Sequence, residues 1–201
     1  MRSRLSLIAL FLASSAFAQT SVTVTVDTAA DRRPIDPRIY GVAFATAAQL
    51  SDLNVPTTRW GGNGTTRYNW QSNATNHAQD WYFESIGEDS ALASYDADRF
   101  IADARAAGTE AMMTIPTIGW VAKLGPNRSK LASFSVVKYG PQQDTDPYMP
   151  DAGNGVRRDG SLITGNDPHD ANMPVDAQFQ AAWIRHMTGV HYYFLDNEPS
   201  I

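Results

Sequence analysis

Four short apolar segments recur along the chain, and each is followed by a helical pattern or by a long polar connection. These segments cover residues 39–44, 57–60, 112–115 and 191–195. Apolar residues at helical spacing occupy residues 49–53, a stretch from Asp96 or Asp98 to Ala107, and residues 175–187. Strands that alternate with helices are typical of a parallel sheet. The chain is therefore predicted to be an α/β protein.

The segment before the first of these strands follows a different pattern. Residues 21–26 read S-V-T-V-T-V, a strict alternation of polar and apolar residues. Such alternation indicates a strand with one buried and one solvated face, which is typical of antiparallel sheets. This strand is therefore predicted to belong to a structural unit other than the parallel sheet.

Residues 1–18 have the three parts of a secretory signal peptide. Arg2 and Arg4 precede an apolar stretch over residues 5–12, and Ala16 to Ala18 form a small-x-small cleavage site. Cleavage before Gln19 would release a secreted protein, either extracellular or periplasmic. No later apolar stretch approaches the ~18 residues of a membrane span, so no membrane association is expected after cleavage.

Composition excludes several classes of site. The chain has no cysteine, which rules out disulfides, thiolate metal centres and cysteine nucleophiles. A formal net charge of −5 and the lack of any run of Lys or Arg argue against nucleic-acid binding. The four histidines form no H-E-x-x-H motif, and no G-x-S-x-G motif occurs.

Two connections, residues 63–94 and 125–174, are unusually long. Connections of more than ~15 residues without secondary structure are usually functional. Both follow a predicted strand, so both would lie at the carboxyl-terminal edge of a parallel sheet. Sheets and barrels of this class build their active sites at that edge.

Glu198 is the sharpest catalytic candidate. It directly follows the last predicted strand, between Asn197 and Pro199. A carboxyl group beside apolar residues at a strand end has a raised pKa, which is what a general acid needs near neutral pH. Asn197 is placed to hydrogen-bond a sugar hydroxyl. A surface glutamate that happens to follow a strand remains the alternative.

A second candidate site starts at the end of the second strand, in Trp60-Gly61-Gly62-Asn63. Glycines at a strand end let the backbone approach a ligand closely. Trp60, Trp70 and Trp120 are predicted to lie in a cleft and to stack on sugar rings. Trp81 and Phe83 are predicted to lie in the core instead.

Acidic side chains cluster in the second long connection. They are Asp151, Asp167 and Asp170, accompanied by Asn172. Oxygen ligands in a loop rich in Gly and Pro suit a hard cation, above all Ca²⁺. The spacing is not that of an EF-hand, and Asp and Asn also stabilise ordinary turns, so both interpretations remain open.

Several long motifs resemble glycoside hydrolase family 44. Among them are R-R-P-I-D-P-R-I-Y-G-V-A-F-A (residues 32–45), R-W-G-G-N-G-T-T-R-Y-N-W (59–70), T-I-P-T-I-G-W-V-A-K (114–123), I-T-G-N-D-P-H-D-A-N (163–172) and Y-Y-F-L-D-N-E-P-S (192–200). They occur in one order and cover nearly the whole chain after the signal peptide.

The resemblance implies a retaining endo-β-1,4-glucanase that hydrolyses cellulose-type β-glucans or xyloglucan. Its fold would be a TIM-like (β/α)8 barrel with a β-sandwich domain. Residues 19–30 would supply a strand of the sandwich, and residues 31–201 the first half of the barrel. Glu198 would be the general acid/base, and Trp60, Asn63, Trp70, Trp120 and Asn197 would contact the polysaccharide. The resemblance also implies a structural Ca²⁺, with Glu84, Asp167 and Asp170 as its ligands.

A complete barrel needs ~250 residues, so this chain would be truncated before the nucleophile of the retaining mechanism. The 201-residue chain is therefore expected to be inactive alone. Two alternatives remain open. The chain could be a carbohydrate-binding module without catalysis, or part of another barrel glycosidase such as a xylanase or a mannanase.

Overall fold

A computed structural model describes residues 22–197 of the chain. The chain divides into two compact units, Met1–Ile35 and Asp36–Ile201. The predicted signal peptide, residues 1–18, lies outside the described residues, as do Glu198 and the three residues after it.

The described part of the first unit, residues 22–35, contains no strand. Val22, Val24 and Val26 are 74–81% exposed, so the apolar side of the alternation is not buried there. The strand expected at residues 21–26 is therefore not formed over its described part, because no neighbouring strand pairs with it. Its assignment to a β-sandwich domain stays a prediction.

The described part of the second unit, residues 36–197, contains five α-helices and eleven short strands. The α-helices are α1 (Ala47–Leu53), α2 (Asn63–Thr66), α3 (Tyr95–Ala106), α4 (Val136–Tyr139) and α5 (Ala177–His186). The strands are β1 (Gly41–Ala43), β2 (Thr57–Trp60), β3 (Ala74–Asn76), β4 (Glu84–Gly87), β5 (Glu110–Ile115), β6 (Trp120–Ala122), β7 (Leu131–Ala132), β8 (Thr145–Asp146), β9 (Met149–Gly153), β10 (Asn172–Pro174) and β11 (Tyr192–Leu195). None of the helices within residues 22–197 has the length and apolar character that spanning a bilayer requires.

The four predicted strands form one parallel sheet in the order β1-β2-β5-β11. Each strand is paired with the sheet strand that precedes it in the chain, and helices or long connections lie between them. The prediction of a parallel α/β fold is therefore confirmed. Four strands do not close a barrel, so the TIM-like barrel stays a prediction.

The first strand is more exposed than expected. Residues 39–44 were predicted to be covered on both faces, but Ile39, Tyr40 and Phe44 are 49–66% exposed. Only Gly41–Ala43 are in the strand, because β1 lies at the edge of the described sheet and pairs with β2 alone.

Local sequence signals explain where the two long helices begin and end. The side chain of Asp176 accepts a hydrogen bond from the backbone N–H of Phe179 (2.9 Å) and caps α5 as predicted. Helix α3 begins earlier than expected, with Ser94 rather than Asp96 or Asp98 at its N-cap. Both aspartates lie in its first turn, where the helix dipole favours negative charge. Gly108, with φ of 70°, follows its end.

The core lies between one face of the parallel sheet and the helices. Trp60, Met113 and Ile115 of the sheet are joined there by Ile101 of α3 and Trp183 of α5. Successive residues of a strand point to opposite faces, so Arg59 points away from this core. The sheet therefore has one helix-covered face and one face that carries Arg59.

The two long connections are not structureless, which differs from the prediction. Their residues take part in three small antiparallel sheets: β3-β4-β7, β8-β9, and β6-β10, in which β6 precedes the second connection. These ladders pair only two or three residues of each strand, too few for an alternating pattern to show in the sequence. Their formation satisfies backbone groups that a buried loop would leave unpaired.

Candidate active site at the carboxyl ends of β2, β5 and β11

The last described turn of the chain begins at Asp196, directly after β11. Asp196 has a left-handed backbone (φ 68°) and is 4% exposed. Its backbone N–H donates to the carbonyl oxygen of Ile115 (2.9 Å), which continues the pairing of β11 with β5. A non-glycine residue held in this conformation is stabilised by its surroundings.

The carboxylate of Asp196 joins the ends of β5 and β11. It accepts hydrogen bonds from the backbone N–H of Thr117 (3.1 Å), from the Thr117 hydroxyl (3.0 Å) and from the backbone N–H of Asn197 (2.7 Å). These bonds fix the position of Asn197, the residue immediately before Glu198.

Asn197 also contacts the end of β2. Its Oδ1 accepts hydrogen bonds from the backbone N–H of Gly62 (2.8 Å) and from the guanidinium of Arg59. Gly62 has φ of 87°, a conformation that favours glycine. Gly62 therefore brings the backbone close to Asn197, while the predicted close approach to a ligand stays a prediction. Because Oδ1 accepts both bonds, the Nδ2 amine of Asn197 is left to donate elsewhere.

Arg59 belongs to this site, and the sequence analysis did not single it out. Its guanidinium contacts Asn197 and lies over the ring of Phe194, 5.5 Å from the ring centre. The signal was present in the sequence, because an arginine inside an otherwise apolar and β-branched strand is unusual. A charge there implies a functional or structural partner.

The three tryptophans predicted to lie in a cleft have partners other than Asn197 in the described structure, and their role in sugar binding stays a prediction. Trp60 is 8% exposed and packs in the core against Tyr68 and Phe100, with ring centres 5.4 and 5.5 Å away. Trp70 is half-buried, and its indole N–H donates to the carbonyl oxygen of Phe179 (3.2 Å). Strand alternation explains the first case, since Trp60 and Arg59 must face opposite sides of the sheet.

Trp120 and Asn63 have other partners than Asn197 in the structure. The half-buried ring of Trp120 meets the ring of His169 edge-on at 5.0 Å. The Nδ2 of Asn63 donates to the carboxylate of Asp80 (2.8 Å). We call the group formed by Arg59, Gly62, Thr117, Asp196 and Asn197 the strand-end site. Among the predicted substrate-binding residues, Asn197 is the one that belongs to it.

The structure does not bring the three predicted calcium ligands together. Asp167 caps the short 3-10 helix Pro168–Asp170, and hydrogen bonds from His169 lower the pKa of its carboxyl group. Asp170 pairs with Lys138 and accepts from the Tyr139 hydroxyl. Within residues 22–197, no group of three His, Asp or Glu side chains is arranged to hold a metal ion.

Glu84 instead faces Asp146, which the sequence analysis did not identify. Both side chains have no exposed surface, and the ammonium of Lys130 lies 3.0 Å from Glu84 Oε2 and 3.6 Å from Asp146 Oδ2. Burial, together with the neighbouring Asp146, raises the pKa of Glu84 to about 7, against the opposing effect of Lys130. Burial also acts to raise the pKa of Asp146, but hydrogen bonds from the Tyr148 backbone and from Glu84 outweigh it and lower that pKa.

Comparison with known proteins gives one family. The model of glycoside hydrolase family 44 matches residues 74–201, which confirms the resemblance seen in the motifs. The crystal structure of CelM2, described as a bifunctional glucanase-xylanase protein from a metagenome library, is 58% identical with a TM-score of 0.82. That match covers 84% of this chain and 34% of CelM2.

Two curated relatives are more distant. Endoglucanase A of Paenibacillus lautus is 27% identical over 92% of this chain, and beta-mannanase/endoglucanase A of Caldicellulosiruptor saccharolyticus is 25% identical over 90% of it. The chain spans only 26% and 14% of the lengths of these two proteins.

Proposed function

Because the chain belongs to glycoside hydrolase family 44, we propose that it supplies the general acid/base of a retaining endo-β-1,4-glucanase. The observation that carries this proposal is the contact of Asn197 with both Arg59 and Gly62. It joins the carboxyl ends of β2 and β11 immediately beside Glu198. Active sites of α/β barrels lie at this edge, so the proposal also includes a TIM-like barrel.

The chemistry needs two carboxyl groups about 5–5.5 Å apart. Glu198 would protonate the leaving glycosidic oxygen and later deprotonate the attacking water. The nucleophile is not assigned to any residue of this chain, and the inactivity of the chain alone stays a prediction. Asn197 would orient the sugar by donating from Nδ2 to a hydroxyl group, since its Oδ1 is already occupied by Arg59 and Gly62.

The proposed substrate is a cellulose-type β-glucan or xyloglucan. Xylan is a second candidate, favoured by the 58% identity to CelM2, which is described as a glucanase-xylanase. A mannan is a third candidate, because one curated relative is named beta-mannanase/endoglucanase A. Initial rates on the four polysaccharides, measured with the full-length protein that contains this chain, would rank them.

The proposal includes export. The signal-peptide pattern of residues 1–18 supports secretion, extracellular or periplasmic, with Gln19 as the first residue of the mature protein. Amino-terminal sequencing of the protein recovered outside the cytoplasm tests this. An intact Met1 there would contradict it.

We also propose a structural Ca²⁺ held by Glu84 and Asp146 in place of the ligand set predicted from the sequence. The fit is supported by two facing, fully buried carboxyl groups, which share the ammonium of Lys130. Ca²⁺ prefers carboxylate oxygens, and the ion would have to take the place of that ammonium between the two groups. Removal of Ca²⁺ with EGTA should lower the melting temperature of the wild type and leave Glu84→Gln unchanged.

The decisive experiment for the catalytic proposal is Glu198→Gln in the full-length protein. The loss of the acid should reduce turnover of natural oligosaccharides by at least ~100-fold, because acid–base catalysis contributes about that factor. Substrates with an activated aryl leaving group should be affected much less in the first step. Asp52→Asn, at an exposed carboxylate on α1, is the matched control.

The binding-module alternative makes the opposite prediction. In that case the wild type would bind β-glucan without turning it over, and Glu198→Gln would leave the affinity intact. If the wild type turns over substrate and Glu198→Gln does so at the same rate, the acid/base role of Glu198 is contradicted. The protein would still be a hydrolase.

A further inference from the structure

The chain contains two pairs of consecutive arginines, and the structure places them in different surroundings. Arg32 and Arg33 lie before the first element of the second unit, whereas Arg157 and Arg158 lie at a turn of the second long connection. All four residues are exposed. Because the two pairs are alike in side chain and in exposure, they allow the effect of the backbone on proteolysis to be compared within one protein.

The first pair lies in a segment without regular structure. Every residue from 22 to 40 is exposed, and no helix or strand includes any of residues 22–36. Within the described part of the chain, residues 31–35 form no hydrogen bond between backbone groups. Exposed segments of this kind are where proteolytic cleavage concentrates, because a protease can bind them without first unfolding anything.

The chain becomes fixed directly after this segment. The carboxylate of Asp36 accepts a hydrogen bond from the backbone N–H of Arg38 (3.0 Å) and pairs with the Arg38 guanidinium (2.6 Å). The same guanidinium donates to the hydroxyl of Tyr192 on β11 (2.6 Å). Cleavage before Asp36 would therefore leave this attachment to the parallel sheet intact.

The backbone of the second pair is hydrogen-bonded on both sides. The N–H of Arg157 donates to the carbonyl oxygen of Ser161 (2.8 Å), and the carbonyl oxygen of Arg157 accepts from the N–H of Gly160 (2.9 Å). These bonds close a turn. A protease would have to open both of them before it could bind the chain around Arg157 and Arg158 in an extended conformation.

The residues around the first pair determine which bond is cleaved. Trypsin-like proteases bind an arginine side chain before the scissile bond in a pocket that holds a carboxylate. Arg32 and Arg33 both offer that side chain, but the bond after Arg33 leads into Pro34. Proline has no N–H and restricts the residue before it, so that bond resists cleavage. The bond between Arg32 and Arg33 is therefore selected.

We propose that the bond between Arg32 and Arg33 is the preferred site of limited cleavage by a trypsin-like protease. Water is the co-reactant: its oxygen bonds to the carbonyl carbon of Arg32, the C–N bond to Arg33 breaks, and the released nitrogen takes up a proton. The chain that carries the strand-end site would then begin at Arg33. The scissile bond lies after residues 19–30, so the proposal does not depend on whether those residues join a β-sandwich.

The test is limited digestion of the full-length protein with trypsin, followed by mass spectrometry and amino-terminal sequencing. A new amino terminus at Arg33 should form at least about 10-fold faster than one at Arg158 or Asp159, because two backbone hydrogen bonds must open before the second pair is cleaved. Removal of the signal peptide gives Gln19 and this cleavage gives Arg33, so sequencing distinguishes the two events.

Three variants test the selection of the bond. Arg32→Gln removes the arginine before the scissile bond and should abolish this cut. Arg33→Gln is the matched control and should keep it. Pro34→Ala should allow a second cut, after Arg33. All three residues are exposed, and the melting temperature of each variant checks that it is folded.

Two outcomes would overturn the proposal. One is a wild type that is cut first elsewhere while the bond between Arg32 and Arg33 stays intact. The other is an Arg32→Gln variant that is cleaved between residues 32 and 33 as fast as the wild type. The cleavage does not require turnover of a polysaccharide, so a failure of the hydrolase proposal leaves this test unaffected.

Discussion

The contribution of Asp196 to the stability of the strand-end site can be measured by replacing this residue. Replacing it by alanine removes the acceptor for three hydrogen bonds, from the backbone N–H and the hydroxyl of Thr117 and from the backbone N–H of Asn197. Asp196 is 4% exposed but its partner Thr117 is exposed, so water can replace these bonds only in part.

The cost follows from the groups that lose their partner. The Thr117 hydroxyl can rotate toward another acceptor, but the two backbone N–H groups cannot. A buried donor left without an acceptor costs about 1–3 kcal/mol, so Asp196→Ala should lower the free energy of unfolding by about 2–4 kcal/mol. Asp196→Asn keeps one acceptor oxygen and a residue tolerant of the left-handed backbone, so it should cost about half as much.

Urea denaturation followed by tryptophan fluorescence measures these losses. With a slope of about 2 kcal/mol per molar urea, the midpoint of Asp196→Ala should fall by about 1–2 M while the slope is unchanged. Asp52→Ala on the surface of α1 is the control and should stay within about 0.5 kcal/mol of the wild type. If Asp196→Ala also stays within about 0.5 kcal/mol of the wild type, its carboxylate does not stabilise the ends of β5 and β11.

Three further predictions concern other parts of the fold. The folded state raises the pKa of Glu84 to about 7, so it holds the Glu84 proton more tightly than the unfolded chain does. The free energy of unfolding, measured in EGTA, should therefore fall by about 2 kcal/mol between pH 5 and 8. Glu84→Gln should remove this dependence on pH. Trp183→Ala, at a fully buried ring, should cost about 3–5 kcal/mol in urea denaturation, whereas Trp81→Ala should cost under about 1 kcal/mol. Arg59→Lys in the full-length protein should lower kcat by about 10-fold in steady-state assays, because lysine lacks the planar donors that hold Asn197; an unchanged kcat would contradict that role.

The sequence predicted the elements whose local signals are strong. Strand β2 has the predicted bounds, because Thr57–Trp60 combine β-branched and aromatic residues and glycines follow them. The end of α3 was marked by Gly108, and the start of α5 by Asp176. In each case the interaction that fixes the boundary lies within a few residues of it.

The elements that were missed depend on distant partners. Strand β3 (Ala74–Asn76) is fully buried although two of its three residues are polar, because pairing with β4 and side-chain bonds such as Asn76 Nδ2 to the Phe83 carbonyl satisfy them. No periodic pattern in a three-residue segment reveals that environment.

The strand-end position of Asn197 was predicted, but its contact with Arg59 was not. Asn197 was expected at a strand end and lies there. The sequence did not show whether Arg59 or its neighbour Trp60 would face the helices. One of the two had to face the helices, and the larger apolar ring took that side. Asp167 and Asp170 looked like ligands because turn-forming and metal-binding carboxylates share the same sequence context.

The register of the parallel sheet has a consequence for the rate of folding. Thr57 pairs with Glu110, and Met112 pairs with Tyr192, so the central pairings join residues about 50 and 80 positions apart. The entropy of closing such loops must be lost before these pairings contribute stability. The intervening segments carry short-range ladders such as β8-β9, which can form first and shorten the effective loop. The parallel sheet is therefore expected to form late and slowly, after its connections are ordered.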